Sequence, residues 1–396
     1  MYNSNLGCLE AAQVWLLFGG QFGSEGKGKA AAWLSYYLEP EIAVCAFSAN
    51  AGHISYSPDG EKYVAHTLPQ AAVYPGTERL YIGPGAAIHI DRFFNEVEEL
   101  GRGADVFIDY RALVIQPEQQ RKEAVLKRIS STCQGVGQAY ADRTLRNEKV
   151  VMARDVDLLR PFLVDVKSQL KEAWAAGKRI QIEGCQGWEL DVLHGFSYPY
   201  CTSRSTGAAA IANDCGFPLR RVDYVMAVCR TYPIRVGNVI ENNTVVGYSG
   251  PIHKDSTEYT WGEITRKSGS PVPLLERTTV TKKVRRIFSW SARSFEQMAW
   301  QNNIDGIWLN FVDYLDHSKL YGCSGSVETA LDDSSALWSF LVDKDLLRWV
   351  VALGTGPEHN HVLIEERRAN RFLAELRRSN KFSGKSYTVK NEGDRL

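Results

Sequence analysis

The strongest constraint on the fold is a regular alternation of two kinds of segment along the chain. Short apolar runs rich in β-branched and aromatic residues predict buried strands at 14–18, 42–47, 79–83, 104–110, 179–184, 222–229, 306–315 and 349–354. Between them, apolar residues at helical spacing predict helices within 91–101, 117–130, 158–177, 291–303 and 365–378. This alternation predicts an α/β fold with a mostly parallel central sheet flanked by helices. No Pro/Gly/Ser-rich linker divides the chain, and residues 379–396 are predicted to form a polar C-terminal tail.

The composition excludes several classes of function. The 46 basic residues balance the 46 acidic residues, so the chain lacks the net positive charge that holds nucleic acids or anionic membranes. The eight cysteines show no CxxC spacing, which argues against a zinc cage or a redox pair. No apolar run reaches the roughly 18 residues of a membrane helix, and the N-terminus lacks the pattern of a signal peptide. We therefore predict a protein of the cytoplasm (the host cytoplasm if a phage encodes it) with no nucleic-acid or membrane partner.

The loop after the first predicted strand carries the most chemical information. Gly23-Ser-Glu-Gly-Lys-Gly-Lys29 fits the pattern GxxxxGK, in which backbone N–H groups and a lysine surround phosphates at the start of a helix. The next residue is Ala30, so the hydroxyl that normally holds magnesium is missing. A glycine-rich turn with solvated lysines is the alternative interpretation. An ordinary P-loop enzyme is therefore a poor description of this chain.

Several motifs in a fixed order resemble the adenylosuccinate synthetases. "GGQFGSEGKGK" resembles the glycine-rich signature of that family, which usually carries aspartate where this chain has Ser24. The further matches, in the family's order, are "NAGH" (50–53), "TCQGVGQAY" (132–140), "EGCQG" (183–187), "YPYCTSRST" (198–206), "TYPIRVG" (231–237), "ERTTVTKKVRR" (276–286) and "GTGP" (354–357). The serine and the segment 276–286 resemble one branch, the phage enzymes that make N6-succino-2-amino-2'-deoxyadenylate from dGMP.

The resemblance implies a fold, a reaction and a cofactor. The family's fold is a P-loop-like single large domain, which we expect to span residues 1–378. In its reaction a purine nucleoside triphosphate phosphorylates the 6-oxygen of an acceptor nucleotide, and the amine of L-aspartate then displaces that phosphate. For this chain the resemblance implies dGMP as acceptor, ATP or dATP rather than GTP as donor, and Mg²⁺ as cofactor. It also implies a homodimer.

The resemblance assigns roles around the glycine-rich loop. Lys27 and the loop would surround the moving phosphate, His53 would donate to the purine 6-oxygen, and Ser24 stands where the family has its catalytic aspartate. Mg²⁺ would be bound by Ser24 and the carbonyl of Gly52. The positions that match triphosphate- and phosphate-binding residues are Gly23, Glu25, Gly26, Lys27, Gly28, Asn310, Asp313 and Thr355, the last within the "GTGP" segment.

Two further sets of residues match positions that bind the acceptor nucleotide and aspartate. The acceptor-nucleotide set consists of Ser24, Asn50, Thr132, Gln186, Thr202 and Arg146. Arg146 matches an arginine that the family contributes across a dimer interface. The aspartate-binding segment is matched by Thr278, Thr279 and Arg285, with Lys282 beside them. Arginine can hold a carboxylate with two parallel hydrogen bonds, although taken alone these residues would be ordinary caps, turns and solvated charges.

Two departures from the family concern substrate choice. Asn310-Phe-Val-Asp313 replaces the usual Thr-Lys-x-Asp guanine-reading motif, so Phe311 could stack on any purine while Asp313 could still accept from guanine. Ser24 is shorter than aspartate, which leaves room for the 2-amino group of dGMP and an oxygen to accept from it. Polarity alone does not demand serine, because aspartate could accept from the same group.

These departures leave two alternatives open. The chain could be an ordinary adenylosuccinate synthetase that acts on IMP with GTP, or a nucleotide-binding regulator that kept the fold and lost catalysis. Assays with dGMP and with IMP, run side by side, would distinguish the phage-type reaction from the first alternative. Aspartate-dependent release of phosphate would exclude the second.

Overall fold

The structure is a computed structural model that describes residues 5–242, 244–278, 282–330 and 335–365. Within these residues, the largest sheet has eleven strands. In chain order they are β1 (Val14–Gly19), β2 (Ile42–Cys45), β3 (Arg79–Ile82), β4 (Val106–Asp109), β5 (Leu163–Val164), β6 (Ile180–Glu183), β7 (Tyr224–Arg230), β8 (Gly306–Asn310), β9 (Gly325–Ser326), β10 (Val350–Gly354) and β11 (Val362–Ile364). All eight predicted strands belong to this sheet.

The strands lie in the order β9-β11-β10-β8-β7-β1-β6-β2-β3-β4-β5. Every neighbouring pair is parallel except β10 and β11, which confirms the predicted mostly parallel sheet. Strands β8 and β10 therefore lie on one side of β1, and β2 and β6 on the other. In open α/β sheets, ligands bind in the crevice beyond the carboxyl ends of the strands. The loop that follows β1 leaves the sheet at this edge.

Strand β1 shows how the sequence produces a sheet covered on both faces. All six of its residues are buried. Val14, Leu16 and Phe18 belong to one hydrophobic cluster, whereas Trp15 and Leu17 belong to another. Because successive side chains point to opposite faces of a strand, each face of the sheet has its own core. A strand buried on both faces reads as a continuous apolar run, which is the pattern in the sequence.

Helices from several parts of the chain pack on both faces of the sheet. Their bounds are α1 (Asn5–Ala11), α2 (Lys27–Leu38), α3 (Ile90–Leu100), α4 (Pro117–Glu123), α5 (Val136–Thr144), α6 (Val166–Ala175), α7 (Ala208–Asp214), α8 (Trp261–Ser268), α9 (Ala292–Asn302), α10 (His317–Leu320), α11 (Val327–Ala330) and α12 (Ala336–Asp343). Helices α1 and α2 contribute side chains to the cluster that contains Trp15, and α3, α6, α7, α9 and α12 contribute to the cluster that contains Leu16. Helices are found within four of the five predicted segments, 91–101, 117–130, 158–177 and 291–303.

Two predicted helical segments are shorter than expected. In segment 158–177 the helix begins only at Val166, and Asp157–Phe162 forms a 3-10 helix instead. Pro161 lies inside that turn and has no N–H to donate to an α-helix. In segment 117–130 the α-helix ends at Glu123 and continues as a 3-10 helix over Ala124–Ile129.

The strand predicted at 306–315 is also shorter than expected. It ends at Asn310 because Phe311 takes a left-handed backbone conformation with φ of 60°. The predicted helix at 365–378 and the domain boundary at 378 lie outside the described residues. In the described part of the chain, no helix has the length and apolar character needed to cross a membrane.

Four smaller sheets supplement the central one among the described residues, and two of them, those that contain His53 and Arg235, supply residues to the cavity described below. They are the hairpin His53–Tyr56 with Lys62–Ala65, the three-stranded sheet of Ile234–Arg235, Arg286–Phe288 and Glu258–Tyr259, the hairpin Val239–Glu241 with Thr244–Gly247, and the pair Ala87–Ile88 with Leu113–Val114.

Candidate functional site

The glycine-rich loop joins β1 to α2. Its backbone is left-handed at Gly23 (φ 85°), Ser24 (φ 59°) and Gly26 (φ 83°). Glycine is required at position 26 because φ is positive and because a Cβ there would lie 2.6 Å from Asn310 Nδ2. Helix α2 begins at Lys27, and no side chain caps its N-terminus. The first N–H groups of α2 and its dipole are therefore available to an anion, as the motif predicts.

Glu25 holds the loop in this shape. Its Oε1 accepts from the backbone N–H groups of Gly23 (2.6 Å) and Gln21 (3.2 Å), and its Oε2 pairs with Lys27 Nζ (2.7 Å). Both side chains are buried. Lys27, predicted to bind phosphate, therefore already has a carboxylate partner. A phosphate at this loop would meet a partly neutralised lysine together with the free N–H groups of α2.

Asn310, at the end of β8, also holds the glycine-rich loop through hydrogen bonds. Its Nδ2 donates to the carbonyls of Glu25 (2.7 Å) and Gly26 (3.2 Å). Its Oδ1 accepts from Trp308 Nε1 (2.8 Å). The whole amide group is thus engaged within the protein. The contribution of Asn310 to triphosphate binding would be to position the loop.

One cavity of about 890 Å³ brings most of the predicted site residues together. This volume lies in the range of roughly 300–1,000 Å³ that is typical of small-molecule sites. The predicted residues that line it are Gly23, Ser24, Gly26, Lys27, Gly28, Asn50, Gly52, His53, Thr132, Gln186, Thr202, Thr278, Arg285, Asn310 and Asp313. Glu25, Arg146, Lys282 and Thr355 do not line it, although Gly356 and Pro357 do. Thr279 lies outside the described residues.

His53 opens the hairpin strand that follows Gly52. Its ring stacks on Phe47 with centroids 4.3 Å apart and an interplanar angle of 17°. Nε2 is buried and has no hydrogen-bond partner among the described residues. Burial and the nearby charge of Lys27 hold the pKa of His53 well below its usual range. The imidazole is therefore neutral at neutral pH and keeps one ring nitrogen free for a ligand.

Short polar groups from separate segments line the same cavity as His53. Asn50 Oδ1 accepts from Gln186 Nε2 (3.0 Å), which ties the segment after β2 to the segment after β6. Thr202 Oγ1 is buried without a hydrogen-bond partner among the described residues. Thr132 lines the cavity, and its carbonyl accepts from Gln134 Nε2 (3.0 Å). The cavity wall therefore carries several short polar side chains, and one of them, Thr202, has a hydroxyl group with no partner among the described residues.

The segment predicted to bind aspartate lines another wall. Thr278 Oγ1 accepts from the backbone N–H of Lys283 (3.0 Å), and the Arg285 N–H donates to the carbonyl of Glu276 (2.9 Å). Burial lowers the pKa of Arg285, although its guanidinium stays charged at neutral pH. The loop thus places a hydroxyl and a guanidinium at the cavity, the groups that a dicarboxylic acid requires.

Arg230 is a residue that the sequence reasoning missed. It ends β7, is fully buried, and donates from Nη1 to the carbonyl of Ser24 (3.0 Å). It also forms an ion pair with Glu276, and its guanidinium lies 3.8 Å from the centre of the Phe311 ring. Tyr314 OH donates to the same Glu276 (3.1 Å). The sequence signal was an arginine that ends an otherwise apolar strand immediately before a motif.

Lys29 and Asp313 lie at the end of the cavity formed by β8 and β10. Lys29 Nζ donates to the carbonyls of Gly356 and His361. Asp313 is 5% exposed, and its Oδ1 has no hydrogen-bond partner among the described residues. Burial lowers the pKa of Lys29 to about 7 and raises the pKa of Asp313 to about 7. The charge at this end of the cavity is therefore sensitive to pH near neutrality.

Arg146 lies away from the cavity of its own subunit. It is exposed, follows α5, and takes a left-handed backbone conformation with φ of 55°. Its neighbour Leu145 is 78% exposed. An exposed arginine next to an exposed leucine is compatible with the predicted action across a subunit interface. Arg146 is not among the residues of this chain that line the cavity.

The donor groups fit a magnesium ion only in part. Ser24 and Gly52 both line the cavity and offer a hydroxyl and a carbonyl, which are oxygen donors of the kind that magnesium prefers. The carboxylate of the loop, Glu25, is engaged by Lys27 and backbone N–H groups. In the part of the chain that the structure describes, no group of three or more His, Cys, Asp or Glu side chains could hold a metal ion. A magnesium ion here would depend on phosphate oxygens of the substrates.

Comparisons with known proteins identify the family of the chain. The sequence profile described as adenylosuccinate synthetase matches residues 16–158 and 151–324. The chain is 35% identical over 326 residues to N6-succino-2-amino-2'-deoxyadenylate synthase of Acinetobacter phage SH-Ab 15497, covering 74% of this chain and 82% of the relative. It is 34% identical over 358 residues to adenylosuccinate synthetase of Thermococcus sibiricus, covering 88% of this chain and 97% of the relative.

A similar solved structure is cyanophage S-2L succinoaminodeoxyadenylate synthetase, bound to dGMP and to dATP as an energy donor. It superposes with a TM-score of 0.75 at 32% sequence identity, and the match covers 91% of this chain and 98% of that chain.

Proposed function

Because the chain belongs to the adenylosuccinate synthetase family, whose members are C–N bond-forming ligases, we propose that it condenses dGMP with L-aspartate at the expense of ATP or dATP. In the first step the 6-oxygen of dGMP attacks the γ-phosphate, and the nucleoside diphosphate leaves. In the second step the amine of aspartate displaces phosphate from C6. The product is N6-succino-2-amino-2'-deoxyadenylate, and the similarity to the phage enzymes supports this choice of substrate.

The observation that carries the proposal is a single cavity whose walls come from both sides of β1. Asn50 and Gln186, predicted for the acceptor nucleotide, follow β2 and β6, whereas Asp313 and Gly356 follow β8 and β10. The N-terminus of α2 lies between these two groups in the sheet order. Phosphoryl transfer requires a donor and an acceptor in line with positive potential at the moving phosphate. The position of the N-terminus of α2 between the two groups of residues supports the proposal that the phosphate moves there.

His53 is proposed to act on the 6-oxygen of dGMP. Its ring is fixed by Phe47, and its free Nε2 lies at the cavity with Lys27 close enough to lower its pKa. In the tautomer with a proton on Nε2, the ring donates to the oxygen as negative charge develops there. A neutral donor suits this task because the nucleotide and triphosphate already bring the negative charge that Lys27 and α2 must balance.

Aspartate is proposed to bind between the two nucleotides at the wall that contains Thr278 and Arg285. Arg285 would hold one carboxylate in a bidentate contact. The Arg230–Glu276 ion pair joins this wall to the loop at Ser24, so the aspartate site and the catalytic loop are positioned by one network. Magnesium, when bound by Ser24, Gly52 and phosphate oxygens, would neutralise charge on the transferring phosphate.

Ser24 is proposed to set the preference for dGMP. Its carbonyl is held by Arg230 and its backbone is left-handed, so the direction of the side chain is determined by the loop. The small hydroxyl leaves room for the 2-amino group of the acceptor base. The second candidate is the same reaction on IMP with GTP, which the similarity to the Thermococcus enzyme supports.

A homodimer with shared sites is proposed on account of Arg146. The acceptor phosphate would receive this arginine from the partner subunit, because the residue is exposed and lies off the cavity within one chain.

The proposal is tested with a panel of acceptors and donors. dGMP, IMP and dIMP are each incubated with aspartate, magnesium and one of ATP, dATP or GTP, and the products are identified by mass spectrometry. We expect the succinylated product from dGMP, with ATP or dATP as the better donors. Product from IMP alone would favour the second candidate, and no product under any donor would defeat both.

A further inference from the structure

A second cavity, of about 20 Å³, shares one residue with the large cavity of about 890 Å³. That residue is Phe22, which stands two positions before Ser24 in the glycine-rich loop. Glu189, His253 and Trp290 line the small cavity and do not line the large one. The proposed reaction gives these three residues no role.

Glu189 and His253 form a buried pair at the small cavity. Glu189 is 2% exposed, and its Oε1 lies 2.9 Å from His253 Nε2. Glu189 Oε2 and Trp290 Nε1 are both buried with no hydrogen-bond partner among the described residues. The cavity exceeds the roughly 10–15 Å³ that one water molecule needs. A water molecule that accepts from Trp290 and donates to Glu189 would satisfy both groups and keep the carboxyl group in place.

The ring of His253 packs against Phe22. The two ring centroids lie 5.7 Å apart, and the ring of Phe196 lies 3.8 Å from that of His253. The guanidinium of Arg235 lies 4.5 Å from the centre of the Phe22 ring. Phe22 is thus held between side chains of distant segments. The position of one of them, His253, depends on its pairing with Glu189.

Glu189 also connects the glycine-rich loop to the wall predicted to bind the acceptor nucleotide. Its backbone N–H donates to the carbonyl of Gln21 (3.0 Å), at the start of the loop. The next residue, Leu190, accepts from the backbone N–H of Thr202 (2.8 Å). Leu190 and Thr202 both line the large cavity. A displacement of Glu189 would therefore reach the loop and the acceptor wall together.

We infer that Glu189 and His253 are positioning residues for the acceptor nucleotide and act on it through Phe22. Neither side chain lines the large cavity. The pair fixes the Phe22 ring, and the ring fixes the start of the turn that carries Ser24. A small displacement of a binding group is sufficient to weaken a site that depends on orientation. The inference rests on the proposed function only in placing the acceptor beside this turn.

Donor binding should be insensitive to the pair. Glu25 pairs with Lys27 in the later part of the loop, and Asn310 donates to the carbonyl of Glu25. The segments after β8 and β10 lie on the other side of β1 in the sheet order. None of these contacts involves Glu189 or His253. A comparison of acceptor and donor affinities therefore distinguishes positioning of the acceptor from a general loss of structure.

The test is binding to the intact protein, with dGMP and ATP titrated separately by calorimetry in the presence of magnesium. Glu189→Leu removes the carboxyl group and keeps a similar volume. Since one hydrogen bond to a charged group is lost, the Kd for dGMP is expected to rise by roughly 10-fold, whereas the Kd for ATP stays close to that of the unmodified protein. Glu189→Gln keeps an oxygen for His253 and should restore most of the affinity for dGMP. An unchanged Kd for dGMP in Glu189→Leu, or equal losses for dGMP and ATP, would overturn the inference.

His253→Leu gives an independent test if Glu189→Leu does not fold. It removes the ring that packs against Phe22, so it should weaken dGMP binding selectively as well. Asp109→Val is the matched control, because it removes a fully buried carboxylate that pairs with Arg111 (2.8 Å) in β4 and lines neither cavity. This control should leave the Kd for dGMP unchanged. A selective loss of dGMP binding in Asp109→Val would show that any buried carboxylate has this effect and would overturn the inference.

Phe22→Leu shows whether Glu189 acts through the ring. If it does, the double variant binds dGMP no more weakly than Phe22→Leu alone, because the contact that Glu189 supports is already lost. Additive losses in the double variant would contradict action through Phe22.

Failure of the proposed reaction and failure of this inference give different results. Selective weakening of dGMP binding in Glu189→Leu without any condensation of dGMP would overturn the reaction and support the positioning role. Condensation of dGMP by the unmodified protein, with the same Kd for dGMP in Glu189→Leu, would support the reaction and overturn the positioning role.

Discussion

Ser24→Asp tests whether the side chain at position 24 sets the preference for dGMP over IMP. The structure indicates that the substitution changes this side chain without changing the backbone of the loop. Ser24 has a φ of 59°, a left-handed conformation that aspartate and asparagine tolerate better than most residues. Its carbonyl is held by Arg230 Nη1 at 3.0 Å, a contact that does not involve the side chain. The loop backbone should therefore persist in the variant. The change is confined to a larger, charged group on the cavity wall.

The expected effect follows from the 2-amino group of dGMP. A crowded amino group or one lost hydrogen bond is worth about 1–3 kcal/mol, so kcat/KM for dGMP relative to IMP should fall by roughly 10- to 100-fold. The assay compares kcat/KM for the two acceptors with one donor, because a gain in magnesium affinity would raise both rates and leave the ratio unaffected. Ser24→Asn is the matched control for size without charge. If space is decisive, both variants shift the ratio.

The result that would refute this reasoning is a ratio that is unchanged in Ser24→Asp or that moves toward dGMP. Serine would then have no part in base choice. A shift in Ser24→Asp alone would transfer the effect from size to charge.

Three further predictions concern the chemical step, the buried ion pair and the dimer. His53→Asn should lower kcat by roughly 100-fold while the KM for dGMP changes only a few-fold, because a positioned donor acts mainly in the transition state; near-normal kcat in steady-state assays would assign His53 a structural role. Arg230→Met removes the ion-pair partner of Glu276, which keeps only the hydrogen bond from Tyr314, and should lower the free energy of unfolding by about 3 kcal/mol in urea titrations; combining it with Glu276→Gln should recover part of that loss, and strictly additive losses would show that the pair is not coupled. Arg146→Ala should raise the KM for dGMP, and mixing it with His53→Ala should restore activity through hybrid dimers; a fully active monomer in sedimentation would contradict the shared site.

Eight of the eleven strands in the sheet were predictable because their residues are buried on both faces. Such strands read as continuous apolar runs, and β1 shows this at all six positions. The predicted strand ends also indicated which residues line the cavity, because binding residues follow the carboxyl ends of parallel strands. The motifs at Ser24, His53 and Asp313 were therefore found together in one cavity.

The parts that could not be predicted depend on contacts between distant segments. Arg230 contacts Ser24 and Glu276, which are 206 and 46 residues away in the sequence. No local sequence pattern predicts contacts between such distant residues. The left-handed conformation of Phe311, which ends the strand, could not be predicted because phenylalanine rarely takes a positive φ. Asn310 matched a ligand-binding position, yet its amide is engaged by the loop, a role visible only in three dimensions.

The phosphorylated purine intermediate is the central claim, and isotope transfer tests it most directly. dGMP carrying ¹⁸O at the 6-position is incubated with aspartate, magnesium and ATP, and the inorganic phosphate released is analysed by mass spectrometry. If the 6-oxygen attacks the γ-phosphate and leaves with it, each phosphate formed with product contains one ¹⁸O atom. Succinylated product formed with unlabelled phosphate, the label appearing in water instead, would contradict the account.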